Sequence, residues 1–251
     1  MAKILVIGGT AEGKKFIADR PEGHRVTLSV FSQMGADLVA ETGIEKRVGP
    51  LDRVEMAALL RKGAYDYLVD LSHPYAAAVT ANAKAAAEGE GVPYLRYRRP
   101  SYRPLYERTQ LFPDYEAVGN YLEGVGGNVF FAIGSKNIHR FLHLPDFAAR
   151  CYFRILAASN VLREVEDLGV APSQIFAMKG VATKELNIAL LHMVNAAYLV
   201  TKDSGLEGGM KEKEEAAQAL GIGLLLIGRP ADDAGMSFSE IWRRIDDGKE
   251  G

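Results

Sequence analysis

The feature that most constrains the fold is the start of the chain, where a short apolar run meets two glycines. Residues 4–7 are four consecutive large apolar residues, as expected for a strand buried on both faces of a parallel sheet. Gly8 and Gly9 follow at once and allow a tight turn that a ligand can approach closely. The residues from about Glu12 onward have a helical pattern, with Thr10 as the cap. A helix N-terminus that follows a glycine turn favours phosphate, because its free N–H groups and its dipole attract anions.

The glycine spacing departs from the dinucleotide-binding pattern G-x-G-x-x-G, because the chain reads Gly8-Gly9-Thr10-Ala11-Glu12-Gly13. Strand, turn and helix still come in the order that predicts a nucleotide phosphate site. The alternative is the ordinary strand-to-helix turn of any α/β protein.

The end of the second predicted strand, residues 26–31, bears on the choice of cofactor. Folds that bind NAD place an acidic residue there to hold the ribose hydroxyls. This chain continues with Phe31-Ser32-Gln33 instead, without a carboxylate. We therefore expect Ser32 to tolerate a 2′-phosphate, which favours NADPH without excluding NADH.

Composition excludes several classes of protein. The net charge of −2 gives no basic excess that would indicate binding to nucleic acid or to an anionic membrane. The single cysteine, Cys151, excludes an internal disulfide framework and is typical of a reducing cytoplasm. We find no N-terminal signal pattern and no apolar run near the ~18 residues that span a bilayer. We expect a cytoplasmic protein.

Strands and helices alternate along the whole chain, which predicts an α/β protein with doubly wound parallel sheets. The 251 residues suffice for two small domains. The pattern loosens around residues 100–113, and we therefore predict two Rossmann-like domains, 1–105 and 106–251.

Two stretches carry candidate ligand-binding residues. Ser72-His73-Pro74-Tyr75 follows the predicted strand 67–71, at the sheet edge where α/β folds bind ligands; a histidine that only caps the turn is the alternative. The densest basic stretch, residues 94–108, holds five arginines. Guanidinium groups bind carboxylates and phosphates, so this stretch indicates an anionic small ligand. A solvated charged edge strand remains the other interpretation.

Other kinds of catalysis lack a motif. The five histidines show no paired spacing with cysteines or carboxylates, so no metal site is predicted. There is no G-x-S-x-G elbow, and Cys151 lies in an apolar run typical of a core strand. The residues therefore favour a nucleotide cofactor that carries the chemistry while the protein orients an anionic substrate.

Six motifs cover nearly the whole chain in order. They are residues 4–13, residues 70–76, residues 96–100, residues 134–136, residues 201–209 with Glu212 and Lys213, and Arg229-Pro230. Together they resemble the precorrin-6A reductases, corrin-ring reductases of cobalamin biosynthesis. The lysine-rich residues 207–213 are more similar to members acting on the cobalt-containing intermediate.

The resemblance implies a reaction and an architecture. A reduced nicotinamide, from NADPH or NADH, gives a hydride to the C18=C19 double bond of (cobalt-)precorrin-6A, and a proton completes the reduction to (cobalt-)precorrin-6B. The active site would lie in the cleft between two Rossmann-like domains. The ligand is a tetrapyrrole with many carboxylates, which agrees with the basic residues. The resemblance further implies transient handover to other corrin-pathway enzymes, without nucleic acid or membrane as partner.

The motif positions assign residues to roles. We expect His73 and Tyr75 to be catalytic, close to the nicotinamide or the ring. The proton donor stays open among His73, Tyr75, Asp203 and water. The expected cofactor-binding residues are Gly8, Gly9, Thr10, Glu12, Ser32 and Ser72. The candidates for binding substrate carboxylates or a cofactor phosphate are Arg96, Arg99, Lys136, Lys202 and Ser204, of which we favour Arg99 and Lys202 for the substrate.

Two other functions stay open. The chain could be a short-chain-type NAD(P)-dependent enzyme acting on another anionic small molecule, although we find no Tyr-x-x-x-Lys pair. It could also be a nucleotide-binding sensor without catalysis. Both alternatives predict that no tetrapyrrole is reduced.

Overall fold

The computed structural model describes residues 1–9, 11–37, 39, 44–73, 75–229 and 235–248. Thr10, predicted to bind the cofactor, lies outside these residues, as do Pro74 and Pro230 of the motifs. The chain divides into two compact units, Met1–Arg99 with Pro230–Gly251 and Pro100–Arg229. Each unit holds one parallel sheet with helices, so the prediction of two parallel-sheet α/β domains is confirmed.

The elements follow the predicted alternation closely. The strands are β1 (Lys3–Ile7), β2 (Arg25–Val30), β3 (Glu45–Val48), β4 (Tyr67–Asp70), β5 (Tyr94–Arg96), β6 (Thr109–Phe112), β7 (Asn128–Ala132), β8 (Cys151–Leu156), β9 (Ile175–Met178), β10 (Ala196–Lys202) and β11 (Gly223–Ile227). The α-helices are α1 (Ala11–Ala18), α2 (Gln33–Asp37), α3 (Arg53–Gly63), α4 (Ala77–Glu90), α5 (Tyr115–Glu123), α6 (Phe147–Arg150), α7 (Ser159–Asp167), α8 (Lys184–Met193), α9 (Met210–Leu220) and α10 (Phe238–Asp247), with 3₁₀ helices at Ser135–Phe141, Pro172–Gln174 and Leu206–Gly208.

The sheet of the first unit has the order β3-β2-β1-β4-β5, and every pair of neighbours is parallel. Strands β2 and β3 lie on one side of β1, and β4 and β5 lie on the other side. The carboxyl ends of β1 and β4 therefore form the first switch point, the place where open α/β sheets bind ligands. Ile7 pairs with Asp70, so the turn at Gly8 lies beside the turn at Ser72.

Strand β1 is buried on both faces, as its apolar run predicts. Ile4 and Val6 belong to one apolar cluster, which also contains Phe16 of α1. Leu5 points to the opposite face and packs in a second cluster with Met56 of α3. Successive side chains of a strand point to opposite faces, so two covered faces require an uninterrupted apolar run.

The last helix packs in the first unit, where the structure differs from the predicted division at 105/106. Ile241, Trp242 and Ile245 of α10 lie in the core around β1, and the ring of Trp242 stacks on Phe16 at 4.2 Å between centroids. Upstream of α10, Met236 bridges Tyr97 at the end of β5. The alternation of elements says that a helix covers a sheet, and only the fold decides which sheet that is.

The sheet of the second unit has the order β6-β11-β10-β7-β8-β9, again all parallel. The order reverses between β7 and β10, whose residues Ala132 and Thr201 pair. Their carboxyl ends form the second switch point. The turn at Ser135 and the loop of residues 203–209, here called the β10 loop, both start there.

The core of the second unit contains Cys151, the residue predicted to lie in a core strand. Cys151 has no exposed surface, and burial raises the pKa of its thiol to about 12, so the prediction of a core cysteine is confirmed.

Among the described residues, no helix combines the length and the apolar character needed to cross a membrane.

Candidate functional site

The glycine turn after β1 lies at the first switch point, and packing of the protein does not require its glycines. Neither Gly8 nor Gly9 has a positive φ. A Cβ built on Gly8 would lie 3.6 Å from Leu28 and Leu71, and one on Gly9 would lie 3.5 Å from Val30, which are ordinary contacts. A ligand that approaches the backbone would explain both glycines, and these residues therefore fit a phosphate group.

The end of β2 packs against the same turn. A Cβ on Gly35 of α2 would lie only 3.2 Å from Cα of Gly9, so this glycine does have a packing reason. Ser32 is exposed, and its Oγ accepts the Gly35 N–H at 3.4 Å. The candidate cofactor residues Gly8, Gly9 and Ser32 therefore share one edge of the first sheet.

Two predicted site residues, Glu12 and Arg99, form an ion pair with each other. Glu12 opens α1 just after the glycine turn and is 3% exposed, and Arg99 is 6% exposed. The Arg99 Nε contacts Glu12 Oε1. Arg99, expected to bind a substrate carboxylate, thus already has a carboxylate from its own chain.

A second buried pair supports the turn at Ser72. Asp70 has no exposed surface, and its carboxylate contacts Arg96 Nη1 at 2.8 Å. It also accepts the Ser72 N–H at 2.8 Å and the Tyr94 hydroxyl at 2.7 Å. Burial and the Asp70 charge raise the pKa of Tyr94, which keeps that hydroxyl a donor. Arg96 further donates to Ser72 Oγ at 2.9 Å, so this predicted carboxylate binder holds the turn in place.

His73 and Tyr75, the predicted catalytic residues, lie on this supported turn. The backbone N–H of Tyr75 donates to His73 Nδ1 at 3.3 Å, and the two rings are 5.7 Å apart. A nitrogen that accepts a hydrogen bond carries no proton, so neutral His73 holds its proton on Nε2. Both side chains are partly exposed.

The second switch point gathers positive charge. Lys136 follows β7 in its 3₁₀ helix, and Lys202 ends β10. Burial, and then repulsion by Lys136, lower the pKa of Lys202 to about 8. A bound anion would relieve the repulsion between these two lysines.

Two further cations lie behind Lys202. Lys213 of α9 is 4% exposed, and Arg154 points inward from β8 and donates to Asn187 Oδ1 at 2.9 Å. Burial and the charges of Arg154 and Lys202 lower the pKa of Lys213 to about 7, while Glu212 opposes this shift. Oε2 of Glu212 is buried and has no hydrogen-bond partner among the described residues.

The β10 loop is held by its own polar residues. Asp203 contacts Arg229 Nε at 3.0 Å and accepts the Gly205 N–H at 3.2 Å. Arg229 also donates to the Pro100 carbonyl at 3.0 Å. Ser204 is buried and donates to the Gly208 carbonyl at 3.1 Å. Asp203 therefore orders the loop through these contacts.

Predicted site residues therefore fall into one group at each switch point. The first group is Gly8, Gly9, Glu12, Ser32, Ser72, His73, Tyr75, Arg96 and Arg99, and the second is Lys136, Lys202 and Ser204.

Sequence reasoning missed Asp70, Arg154 and the role of Lys213. Asp70 and Arg154 could have been found because each is the single charged residue of an otherwise mostly apolar strand, β4 (YLVD) and β8 (CYFRIL). Lys213 shares the buried stripe of α9 with Met210 and Ala217, at helical spacing.

Comparison with known proteins identifies the family. A model of the family described as precorrin-6x reductase CbiJ/CobK matches residues 3–246. A cobalt-precorrin-6A reductase of Priestia megaterium is 29% identical and covers 94% of both chains. That of Methanothermobacter thermautotrophicus is 33% identical over 90% of this chain and 76% of its own.

A solved structure, "CobK precorrin-6A reductase", superposes with a TM-score of 0.77 at 25% identity. It covers 98% of this chain and 97% of its own. The family match spans both units and all six motifs. The chain belongs to the precorrin-6x reductase family.

Proposed function

We propose that this chain reduces cobalt-precorrin-6A, or its metal-free counterpart, to the corresponding precorrin-6B with NADPH or NADH. The reaction would be the hydride transfer to the C18=C19 bond that the family resemblance implies. The observation that carries the proposal is the pair of switch points with different chemistry. One offers an unobstructed backbone beside a histidine, and the other offers clustered cations.

The first switch point fits the nicotinamide cofactor. Gly8 and Gly9 would let its phosphates approach the backbone, and Ser32 and Ser72 would hold its sugars. When bound, the reduced nicotinamide supplies the hydride. The exposed Ser32 brings no carboxylate to the end of β2, which favours NADPH because a 2′-phosphate meets no negative charge there.

The second switch point fits the carboxylates of a tetrapyrrole. Lys136 is exposed, and Lys202 is half-buried, so together they present charge to a ligand. Since the pKa of Lys202 is about 8, this lysine is mainly protonated at neutral pH. Arg154 adds a permanent charge behind it. The partial burial of Lys202 would strengthen its contact with a carboxylate relative to water.

We propose His73 as the proton donor. The Tyr75 N–H orients its ring through Nδ1 while the imidazole is neutral. To protonate the substrate, His73 would first take up a proton from solvent, and it would return to neutral imidazole afterwards. The Asp70–Arg96 pair would keep the imidazole in place through the turn at Ser72. Tyr75 would contact the ring or the nicotinamide.

The test is direct. Purified protein is mixed with cobalt-precorrin-6A and NADPH, and separately with NADH, while cofactor oxidation and product mass are followed. We expect stoichiometric oxidation and a product heavier by two hydrogens. Cofactor binding without reduction would instead support a nucleotide-binding sensor. Reduction of other anionic substrates alone would support a short-chain-type enzyme.

A further inference from the structure

Lys213 connects α9 to the β10 loop from the inside. Its Nζ donates to the Gly208 carbonyl at 2.8 Å, the same oxygen that accepts from Ser204 at 3.1 Å. The side chain is almost completely buried, so this amine does not reach solvent. Lys213 therefore holds the C-terminal part of the β10 loop through Gly208.

The surroundings of Lys213 are unusual for a lysine. Arg154 of β8 and Lys202 of β10 face it with positive charge, and Glu212 of its own helix contributes negative charge. Burial has the largest effect, and the pKa of Lys213 falls to about 7. The next residue, Glu214, is turned to other partners, the Tyr102 hydroxyl and the Tyr106 N–H. Lys213 is thus poised to gain or lose a proton near neutral pH.

We propose that Lys213 is a positioning residue for the β10 loop and that it takes up a proton when a carboxylate-bearing ligand binds Lys136 and Lys202. The inference rests on the substrate site of the proposed function. Bound negative charge offsets the repulsion from Lys202, so the ammonium form of Lys213 becomes favourable. The ammonium then donates a stronger, charge-assisted hydrogen bond to Gly208 and stabilises the ligand-bound loop.

Titration calorimetry of cobalt-precorrin-6A at pH 7, in buffers that differ in protonation enthalpy, measures the proton uptake. At this pH Lys213 is about half protonated, whereas Lys202, with a pKa of about 8, is already mostly protonated. Uptake therefore reports chiefly on Lys213. We expect roughly half a proton per ligand for the wild type.

Three variants separate the interpretations. Lys213→Met should lose the uptake and raise the tetrapyrrole Kd and KM about tenfold, the size of one charge-assisted hydrogen bond. Lys213→Arg is permanently charged, so it should also lose the uptake but keep the affinity within a few-fold. Lys211→Met, an exposed neighbour on the same helix, should behave as wild type. The cofactor KM should stay unchanged in all three.

Several outcomes would overturn the inference. Wild-type uptake in Lys213→Arg contradicts it even if Lys213→Met fails to fold. Unchanged Kd in a folded Lys213→Met contradicts the positioning role. If the wild type does not bind the tetrapyrrole, the proposed function itself fails. If it binds and Lys202→Met weakens binding, but no proton is taken up, this inference alone fails.

Discussion

The two switch points of the molecule differ in how they treat charge. At the first, each buried arginine has its own carboxylate, Arg96 with Asp70 and Arg99 with Glu12. At the second, Lys136, Arg154, Lys202 and Lys213 come together, and burial with the neighbouring positive charges lowers the pKa of Lys202 and of Lys213. At the first switch point, carboxylates of the same chain neutralise the buried arginines. The other gathers positive charge that an anionic ligand would neutralise.

This difference in charge pairing indicates which kind of ligand each switch point can bind. Paired charges give little net attraction for an anion, so we expect a phosphate at the first switch point to be held by backbone N–H groups. Clustered cations repel each other, and a bound carboxylate relieves that repulsion. A cofactor phosphate at the glycine turn and a polycarboxylate at the lysines are the matching assignments.

The largest expected effect comes from breaking a pair at the first switch point. Arg96→Met leaves the Asp70 carboxylate buried without its cation, which should destabilise the first unit by about 3–5 kcal/mol. The single tryptophan, Trp242, lies in the core of that unit and reports its unfolding in urea by fluorescence. A loss below about 1 kcal/mol would show that the pair is not a structural requirement.

The same kind of substitution at the second switch point should leave the fold intact. Lys202→Met removes a cation that already repels its neighbours, so stability should hold or rise. The tetrapyrrole KM should rise more than tenfold, since a charge-assisted contact contributes about 1.5–3 kcal/mol. Steady-state kinetics with Lys211→Met as control measures this. An unchanged KM would remove Lys202 from the substrate site.

The glycine turn gives a third, smaller effect. Gly9→Ala should fold normally, because its Cβ would lie 3.5 Å from Val30, and it should weaken cofactor binding about tenfold by displacing the phosphate from the backbone. Gly89→Ala, which meets nothing within 4 Å, is the matched control for calorimetry. Equal cofactor affinity in both variants would contradict a phosphate site at Gly9.

The smallest effect is a pH dependence of the second unit. Lys213 has a pKa of about 7 when folded and about 10.4 when unfolded. Between these values the unfolded chain binds more protons, so stability should rise with pH by about 1 kcal/mol per unit from pH 7 to 9. Below about pH 6 this contribution is constant, because Lys213 is then protonated in both states. Hydrogen exchange in α9 measures the trend, and Lys213→Met should flatten it. An identical slope in that variant would assign the dependence to other groups.

Much of the fold was predictable because strands and helices follow local patterns. The sequence predicts strands at residues 151–156 and 175–178, and β8 and β9 begin and end at those residues. No strand or helix is predicted within residues 106–123, which follow the loosened stretch and contain β6 and α5. The short helices α2 and α6 are not predicted either. Strand β6 is an exposed edge strand, so it lacks the apolar run that marks a buried one.

The candidate site was predictable only in part. The sequence singled out Arg96, Arg99, Lys136 and Lys202 by residue type and motif, and it indicated a cofactor turn at Gly8-Gly9. It could not say that Arg99 would meet Glu12 rather than a ligand. The meeting depends on α1 and the segment after β5 reaching the same edge of the sheet.

The sequence by itself determined the alternation of elements, the glycine turn and the family, because these depend on neighbouring residues and on motif order. Only the tertiary structure decided which charges are paired and which stay clustered. It also decided that α10 covers the first sheet. Such outcomes arise from interactions between elements far apart in the chain, such as the repulsion between Arg154 of β8 and Lys213 of α9. Local pattern sets where a strand or helix forms, whereas long-range packing sets which side chains it meets.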